Sequence, residues 1–324
     1  MAILREISTV ASIKMPIGEN WTVSRCRYAA KDEAGKRVCI ATGVHGDEMM
    51  GQLVVYDVAQ RIMKQPENLH GTIDIYPMIN PLGLDIGERM VPSGTRLDMN
   101  RAFPGSENGT AMENICYHIV EDMKGADLVL DVHTSSQITS SLYCARIHES
   151  SAKAMVPETA ALCPEVIWVL PDRPTYNAAL TGALTLAGTK ALAIEMDERR
   201  LRTQMIVDVV VEGIFCKLHE MGVWTGEVQA APALENIPCM LRDEDMCRVT
   251  CRHPGMFVPV ESMGAPVKEG SILGTIFDAL SGEPVETVVA PAAGLVFVQR
   301  RYSVVYPGTL IARICKKESV KESA

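Results

Sequence analysis

The sequence predicts an α/β fold, with helices on both faces of one sheet, followed by a C-terminal all-β module. Three observations predict it. Up to about residue 226, short apolar runs alternate with amphipathic stretches, as strands and helices sharing one sheet do. After Gly226 the texture changes, and Gln229-Ala230-Ala231-Pro232-Ala233 reads as a linker. From about Arg248, short β-rich runs are punctuated by Gly255, Gly264, Gly270, Gly282, Gly294 and Gly308. The expected division is therefore residues 1–227 and 228–324.

In the first region, strands are expected at 21–29, 37–42, 72–79, 127–132, 165–170 and 190–195. Helices are expected at 47–64, 109–124, 150–162, 177–187 and 203–221. The last carries a helical stripe, Ile206, Val210, Ile214 and Leu218, and Gly222 follows as a stop.

Composition excludes several classes. Net charge is −9, with no basic block, which argues against general nucleic-acid binding. No run reaches membrane-spanning length, and the N-terminus lacks the apolar core of an export signal. Ten cysteines are scattered without disulfide-scaffold spacing, and several sit in apolar runs. They read as free thiols of a cytoplasmic protein. Cys247 and Cys251 lie in a strand-rich setting that makes a metal clip a poor reading.

The chemistry starts at Gly43-Val44-His45-Gly46-Asp47-Glu48, between an apolar run, 37–41, and an amphipathic one, 49–64. His45 and Glu48 at a strand-to-helix junction can aim at one point, and an imidazole with a carboxylate suits a divalent metal, zinc above all. The bland alternative is a capping His and a solvated helix Glu. A catalytic zinc takes three protein ligands. Of seven histidines, His133 stands out, because it ends the apolar run 126–132 before a polar loop. His118 and His219 lie in helical patterns, His70 in a turn, and His148 and His253 in polar segments. These read as surface or packing residues. Between the two ligand segments, Asn100 and Arg101 stand in a Pro/Gly-bounded stretch, and Arg89 and Arg96 add charge upstream. Arginine can grip a carboxylate with two hydrogen bonds.

Three motifs in order, Gly-Val-His-Gly-Asp-Glu (43–48), Asp-Met-Asn-Arg-Ala-Phe-Pro-Gly (98–105) and Asp-Val-His-Thr (131–134), resemble the succinylglutamate desuccinylase/aspartoacylase family, relatives of the zinc carboxypeptidases. The resemblance spans roughly 37–200. It implies a mixed eight-stranded sheet of the zinc carboxypeptidase type. It implies one zinc per chain on His45, Glu48 and His133, and a glutamate, matched by Glu195 at the end of 191–194, that exchanges protons with the water and the leaving nitrogen. Asp98 would orient His45, with Asp131 a weaker candidate partner for a ligand. Arg89 would stabilise the oxyanion, and Asn100 and Arg101 would anchor a substrate carboxylate. The expected substrate is a small N-acyl amino acid. The alternatives are a carboxypeptidase acting on short peptides and a non-catalytic metal- or ligand-binding protein.

The C-terminal phrases Pro266–Gly274 and Ala290–Val296 resemble biotinyl/lipoyl-like hairpins. No lysine occurs between Lys268 and Lys316, so the usual swinging-arm attachment is missing. The module reads as structural or as a wall over the site. Tyr302 and Tyr306 are candidates to reach substrate from it, with packing as the alternative. Its exposed edge strands could pair in a homo-oligomer. The charged tail, 316–322, reads as frayed.

Overall fold

The computed structural model describes residues 3–16, 18–30, 35–92, 97–135, 138–197, 203–229, 239–260 and 263–316. Most of the expected linker, the tail beyond Lys316 and Arg96 lie outside these residues.

In chain order the first strands are β1 (Ile3–Lys14), β2 (Asn20–Ala30), β3 (Arg37–Thr42), β4 (Thr72–Tyr76) and β5 (Leu128–Thr134). They are followed by β6 (Thr139–Ser141), β7 (Cys144–His148), β8 (Val166–Leu170), β9 (Ala191–Met196) and β10 (Cys239–Leu241). All except β6 form one nine-stranded mixed sheet, ordered β1-β2-β4-β3-β5-β9-β7-β8-β10. The α/β sheet is therefore as expected, with one strand more than eight. The short β10, beyond the expected divide at 227/228, adds in parallel to β8 at its edge.

Side-chain alternation explains why helices cover both faces. Val38 and Ile40 of β3, with Leu128, Leu130 and Val132 of β5, pack under α1 (Met50–Lys64). Cys39 and Ala41, with Val129 and Ala191, face the other way. Of the remaining helices, α2 is Pro81–Ile86, α3 is Ala111–Met123, α4 is Ala152–Met155, α5 is Pro174–Asn177, α6 is Leu180–Leu186 and α7 is Thr203–Glu220. The stripe Ile206, Val210, Ile214 and Leu218 of α7 is buried beside α1, while α3 and α6 cover the opposite face. α7 ends two residues before Gly222, whose φ of 72° turns the chain.

Several boundaries differ from expectation. α1 begins at Met50, so His45 and Glu48 both lie in the preceding loop. The strand expected at 72–79 ends at Tyr76. The helix expected at 150–162 is only α4 between 3-10 turns at Glu149–Ser151 and Pro157–Leu162, because Pro157 cannot donate to a continuing helix. The helix expected at 177–187 is broken into α5 and α6 by the extended Ala179. Among the described residues no helix is long and apolar enough to cross a membrane.

The C-terminal β layer comprises β11 (Met246–Thr250), β12 (Gly255–Pro259), β13 (Pro266–Val267), β14 (Ile272–Phe277), β15 (Pro284–Val289), β16 (Gly294–Arg300), β17 (Val304–Val305) and β18 (Leu310–Lys316). One sheet runs β11-β18-β16-β13 and another β15-β14-β12-β17. Phe257, Leu273, Ile276, Val296 and Ile311 fill the space between them. β6 pairs with β16, Ser141 opposite Val298, and so stitches this layer to the large sheet. Trp168, Leu170, Phe297, Val298 and Cys315 form the apolar seam.

Candidate active site

β3 ends at Thr42, and the chain turns through Gly43 at φ +71°. A Cβ on Gly46 would collide with the Gly83 carbonyl, so only glycine lets this loop lie on α2. The loop presents His45 and Glu48 inward, with 4% and 5% of their surface exposed. β5 next door ends in His133 and Thr134, both buried. The Thr134 amide donates to Glu48 Oε2 at 3.2 Å, which locks the carboxylate between the two strand ends.

Each imidazole is gripped on its far side. His45 Nε2 lies 3.0 Å from Asp98 Oδ1, and His133 Nε2 lies 2.9 Å from Asp131 Oδ2. A ring that donates Nε2–H to such a carboxylate carries a bare lone pair on Nδ1. Both Nδ1 atoms face Glu48, His45 at 2.8 Å from Oε1 and His133 at 2.8 Å from Oε2. Carboxylate oxygens only accept, so the arrangement calls for positive charge between the three groups. Protons can supply it. Burial disfavours both imidazolium forms, yet Glu48 and Asp98 outweigh this at His45, and Asp131 and Glu48 outweigh it at His133; both rings are more basic than usual. Burial likewise pushes Glu48 up, but His45 and His133 hold it well below the ordinary carboxylate range. A metal ion can supply the charge equally well. The three ligand atoms lie within 4.8 Å of one another, and all three residues are buried. The donor set fits a divalent cation.

The other expected residues gather at the same place. Asp98 caps a 3-10 turn, Met99–Arg101, by accepting from the Asn100 amide at 2.9 Å. Burial raises the Asp98 carboxyl, but His45 and Arg89 more than reverse this and hold it far below its usual value. Arg89 donates to Glu48 at 2.7 Å and reaches Asp98 at 3.4 Å. Asn100 Oδ1 accepts from the Leu180 amide at 3.1 Å, capping α6, and Arg101 lies beside it on the pocket wall. Glu195 sits opposite His133 in the β5–β9 register, so both point to one face. Tyr302 and Tyr306 do not line the pocket, and both are exposed rather than packed.

The pocket holds about 310 Å³. Several of its residues carried no sequence motif. Arg146 of β7 makes a 2.7 Å ion pair with Glu195 and holds that carboxylate in place. Its signal was an arginine within the apolar run 142–147. Trp168 of β8 lies on the same wall, and Val298, Leu310 and Arg313 close it from the C-terminal layer. The wall function expected of that module is thus carried by β16 and β18 rather than by tyrosines. Among the remaining histidines, His148 is buried against Thr181, while His70 meets Thr225 and His253 meets Glu286.

A buried His-Glu-His group that could hold a metal thus stands at the strand ends of a mixed α/β sheet. The structure of a metallo-carboxypeptidase from Burkholderia cenocepacia superposes with a TM-score of 0.52 at 14% identity, over 67% of this chain and 65% of that one. A succinylglutamate desuccinylase/aspartoacylase structure from Rhodobacter sphaeroides superposes far more completely, with a TM-score of 0.82 at 22% identity over 97% and 95% of the two chains. The profile of the succinylglutamate desuccinylase/aspartoacylase catalytic domain matches residues 34–218, and the chain belongs to this family. In sequence it is 25% identical, over 250 residues, to the N-alpha-acetyl-L-2,4-diaminobutyric acid deacetylase of Halomonas elongata, covering 75% of this chain and 71% of that protein.

Proposed function

We propose that this protein is a zinc-dependent amidohydrolase of the cytoplasm that cleaves an N-acyl amino acid or a related small carboxylate into a carboxylic acid and an amine. The observation that carries this reading is the convergence of His45, Glu48 and His133 with Glu195, on adjacent strand ends, in one pocket. Two imidazoles and a carboxylate are the donor set of hydrolytic zinc sites. When bound, zinc would act as the Lewis acid that polarises the amide carbonyl and makes water nucleophilic near neutral pH. Asp98 and Asp131 fix the tautomers of its two histidine ligands.

The remaining steps belong to side chains. Glu195 takes a proton from the attacking water and returns it to the departing nitrogen, and Arg146 keeps the carboxylate aimed. Arg89 offsets negative charge that grows on the carbonyl oxygen. Asn100 and Arg101 hold the substrate carboxylate. The roof from β16 and β18 favours small amides over peptides, because a long chain needs an open trough. The deacetylase activity of the Halomonas relative supports an acylated amino acid as substrate.

The test is zinc content combined with hydrolysis of a panel of N-acyl amino acids and dipeptides. About one zinc per chain, lost in His45→Ala and in His133→Ala, with turnover confined to the N-acyl compounds, is expected. No zinc uptake would sink the reading, and cleavage of peptides alone would transfer it to a carboxypeptidase.

A further inference from the structure

In the outer sheet of the C-terminal layer, β15-β14-β12-β17, Phe257, Leu273, Ile276 and Val288 are buried on the inner face. An antiparallel sheet with one face on a core ordinarily shows water a polar second face. Here the second face is apolar too. Met256 and Val258 on β12, Ile272 on β14, and Val285 and Val289 on β15 each expose 38–54% of their surface. Across the middle, Val258 is opposite Thr275, and Thr275 is opposite Thr287. Those two threonines are the polar side chains that these strands turn outward. Glu286, the one charged residue in the four strands, is buried, and accepts from the amides of Arg252 and His253 at 2.9 and 2.8 Å. Just beyond Phe277, the turn into β15 carries Leu280, the most exposed apolar side chain among the described residues.

This face stands apart from the pocket. The pocket wall uses β16 and β18 of the other sheet, and none of the outward residues lines it. The face also differs from the exposed edge strand β1, which presents Arg5, Glu6 and Lys14. The half-exposed apolar side chains and the threonines between them make a patch of roughly 500 Å², the size at which such patches serve as contact sites. A standard interface takes about 800 Å² from each partner, and the patch approaches this once Val260, Phe277 and the Leu280 turn are added at its rim.

Charge decides which partner fits. The chain carries −9, so two copies repel wherever acidic surface meets acidic surface. They can meet where there is no charge. An isologous contact sets one patch against the same patch on the partner. Apolar side chains suit their own copies, and a threonine hydroxyl both donates and accepts, so it too is self-complementary. A partner of different chemistry would be picked out by charge or by a one-way donor, and this face offers neither.

We propose that this protein is a homodimer whose subunits pack the outer faces of their β15-β14-β12-β17 sheets against one another, as the two halves of a β-sandwich do. Both pockets stay open, because their walls belong to the other sheet.

Sedimentation equilibrium of the full chain is the test, on wild type, Val258→Lys and Thr287→Glu. Leu53→Lys, at an exposed apolar position of α1, is the control. Wild type and Leu53→Lys sediment as dimers, and the two sheet variants as monomers with unchanged far-UV circular dichroism. Over about a hundredfold range of protein concentration, the melting temperature rises with concentration in the dimers and not in the monomers. A second measurement needs no variant. Within one chain Met256 and Met240 are similarly exposed, at 38% and 40%. Dilute hydrogen peroxide, followed by peptide mass spectrometry, oxidises the two alike in a monomer, whereas a dimer shields Met256 several-fold. A monomeric wild type overturns the proposal and leaves the face to a lipid surface or a different protein. A dimer that survives both sheet variants overturns it as well, and so does Met256 oxidised as fast as Met240.

Discussion

The two ends of the pocket are built differently. At the end where His45, Glu48 and His133 could hold a metal, His45 and Glu48 share one short loop and His133 stands near the end of the neighbouring strand, so local sequence and one parallel pairing assemble the group. At the far end, Arg146 and Trp168 meet across the β7–β8 pairing, and Arg313 of β18 joins them only when the C-terminal layer docks. Under the proposed function, the first end would supply the chemistry and the second would bear on which molecule reaches it. Chemistry confined to short motifs tolerates change elsewhere in the chain.

The sharpest way to break this contrast is at the catalytic end. Glu195→Gln is expected to lower kcat by about a hundredfold to ten-thousandfold, with zinc still bound, in a metal assay run beside the kinetics. Near-normal turnover by that variant would remove Glu195 from the mechanism. Asp98→Asn comes next. Loss of the partner that orients His45 should weaken zinc binding or activity by about ten- to a hundredfold, read by competition with a chelator. Substitutions at the far end, such as Arg313→Gln, should shift KM and leave the metal untouched in the same paired assays.

The smallest effect on turnover is expected from Asp74, which lies at neither end. It is fully buried in β4 and accepts from Arg27 and Arg37 at 2.7 Å each. Burial pushes its carboxyl up, but those two arginines hold it below the ordinary value. A depressed carboxylate contributes stability that is complete above the unfolded-state pKa of about 3.9 and is lost as pH falls through the lower folded value. Asp74→Ala should therefore cost about 3–5 kcal/mol at neutral pH by urea denaturation, with a gap to wild type that narrows in acid. The kcat of the folded fraction should be unchanged.

Legibility in the sequence followed the same divide. The alternation that predicted β3, β4, β5, β8 and β9 reflects side chains buried on both faces, and the stripe on α7 a single buried face. The strand β1 was missed because only one of its residues, Ala11, is buried, leaving a weak apolar pattern. The break between α5 and α6 was missed because its cause is tertiary, the capping of Leu180 by Asn100 from 80 residues away. His45, Glu48, His133 and Asp98 stood out because motifs surround them. Arg146 and Arg313 did not. An arginine on a strand looks solvated until the fold shows what it faces, and attention to Tyr302 and Tyr306 picked the right layer but the wrong side chains.

The pairing of β6 with β16 has a consequence for biosynthesis. Thr139–Ser141 waits for a partner at Gly294–Arg300, and the wall strand Leu310–Lys316 follows later still. A ribosome-bound chain can thus pair β3, β5 and β9 around His45, Glu48 and His133 while the part of the pocket wall carried by β16 and β18 is still unsynthesised. Contacts across so long a stretch of chain close slowly. During that interval the His45–Glu48–His133 group can form before Val298, Leu310 and Arg313 are in place to close the pocket over it.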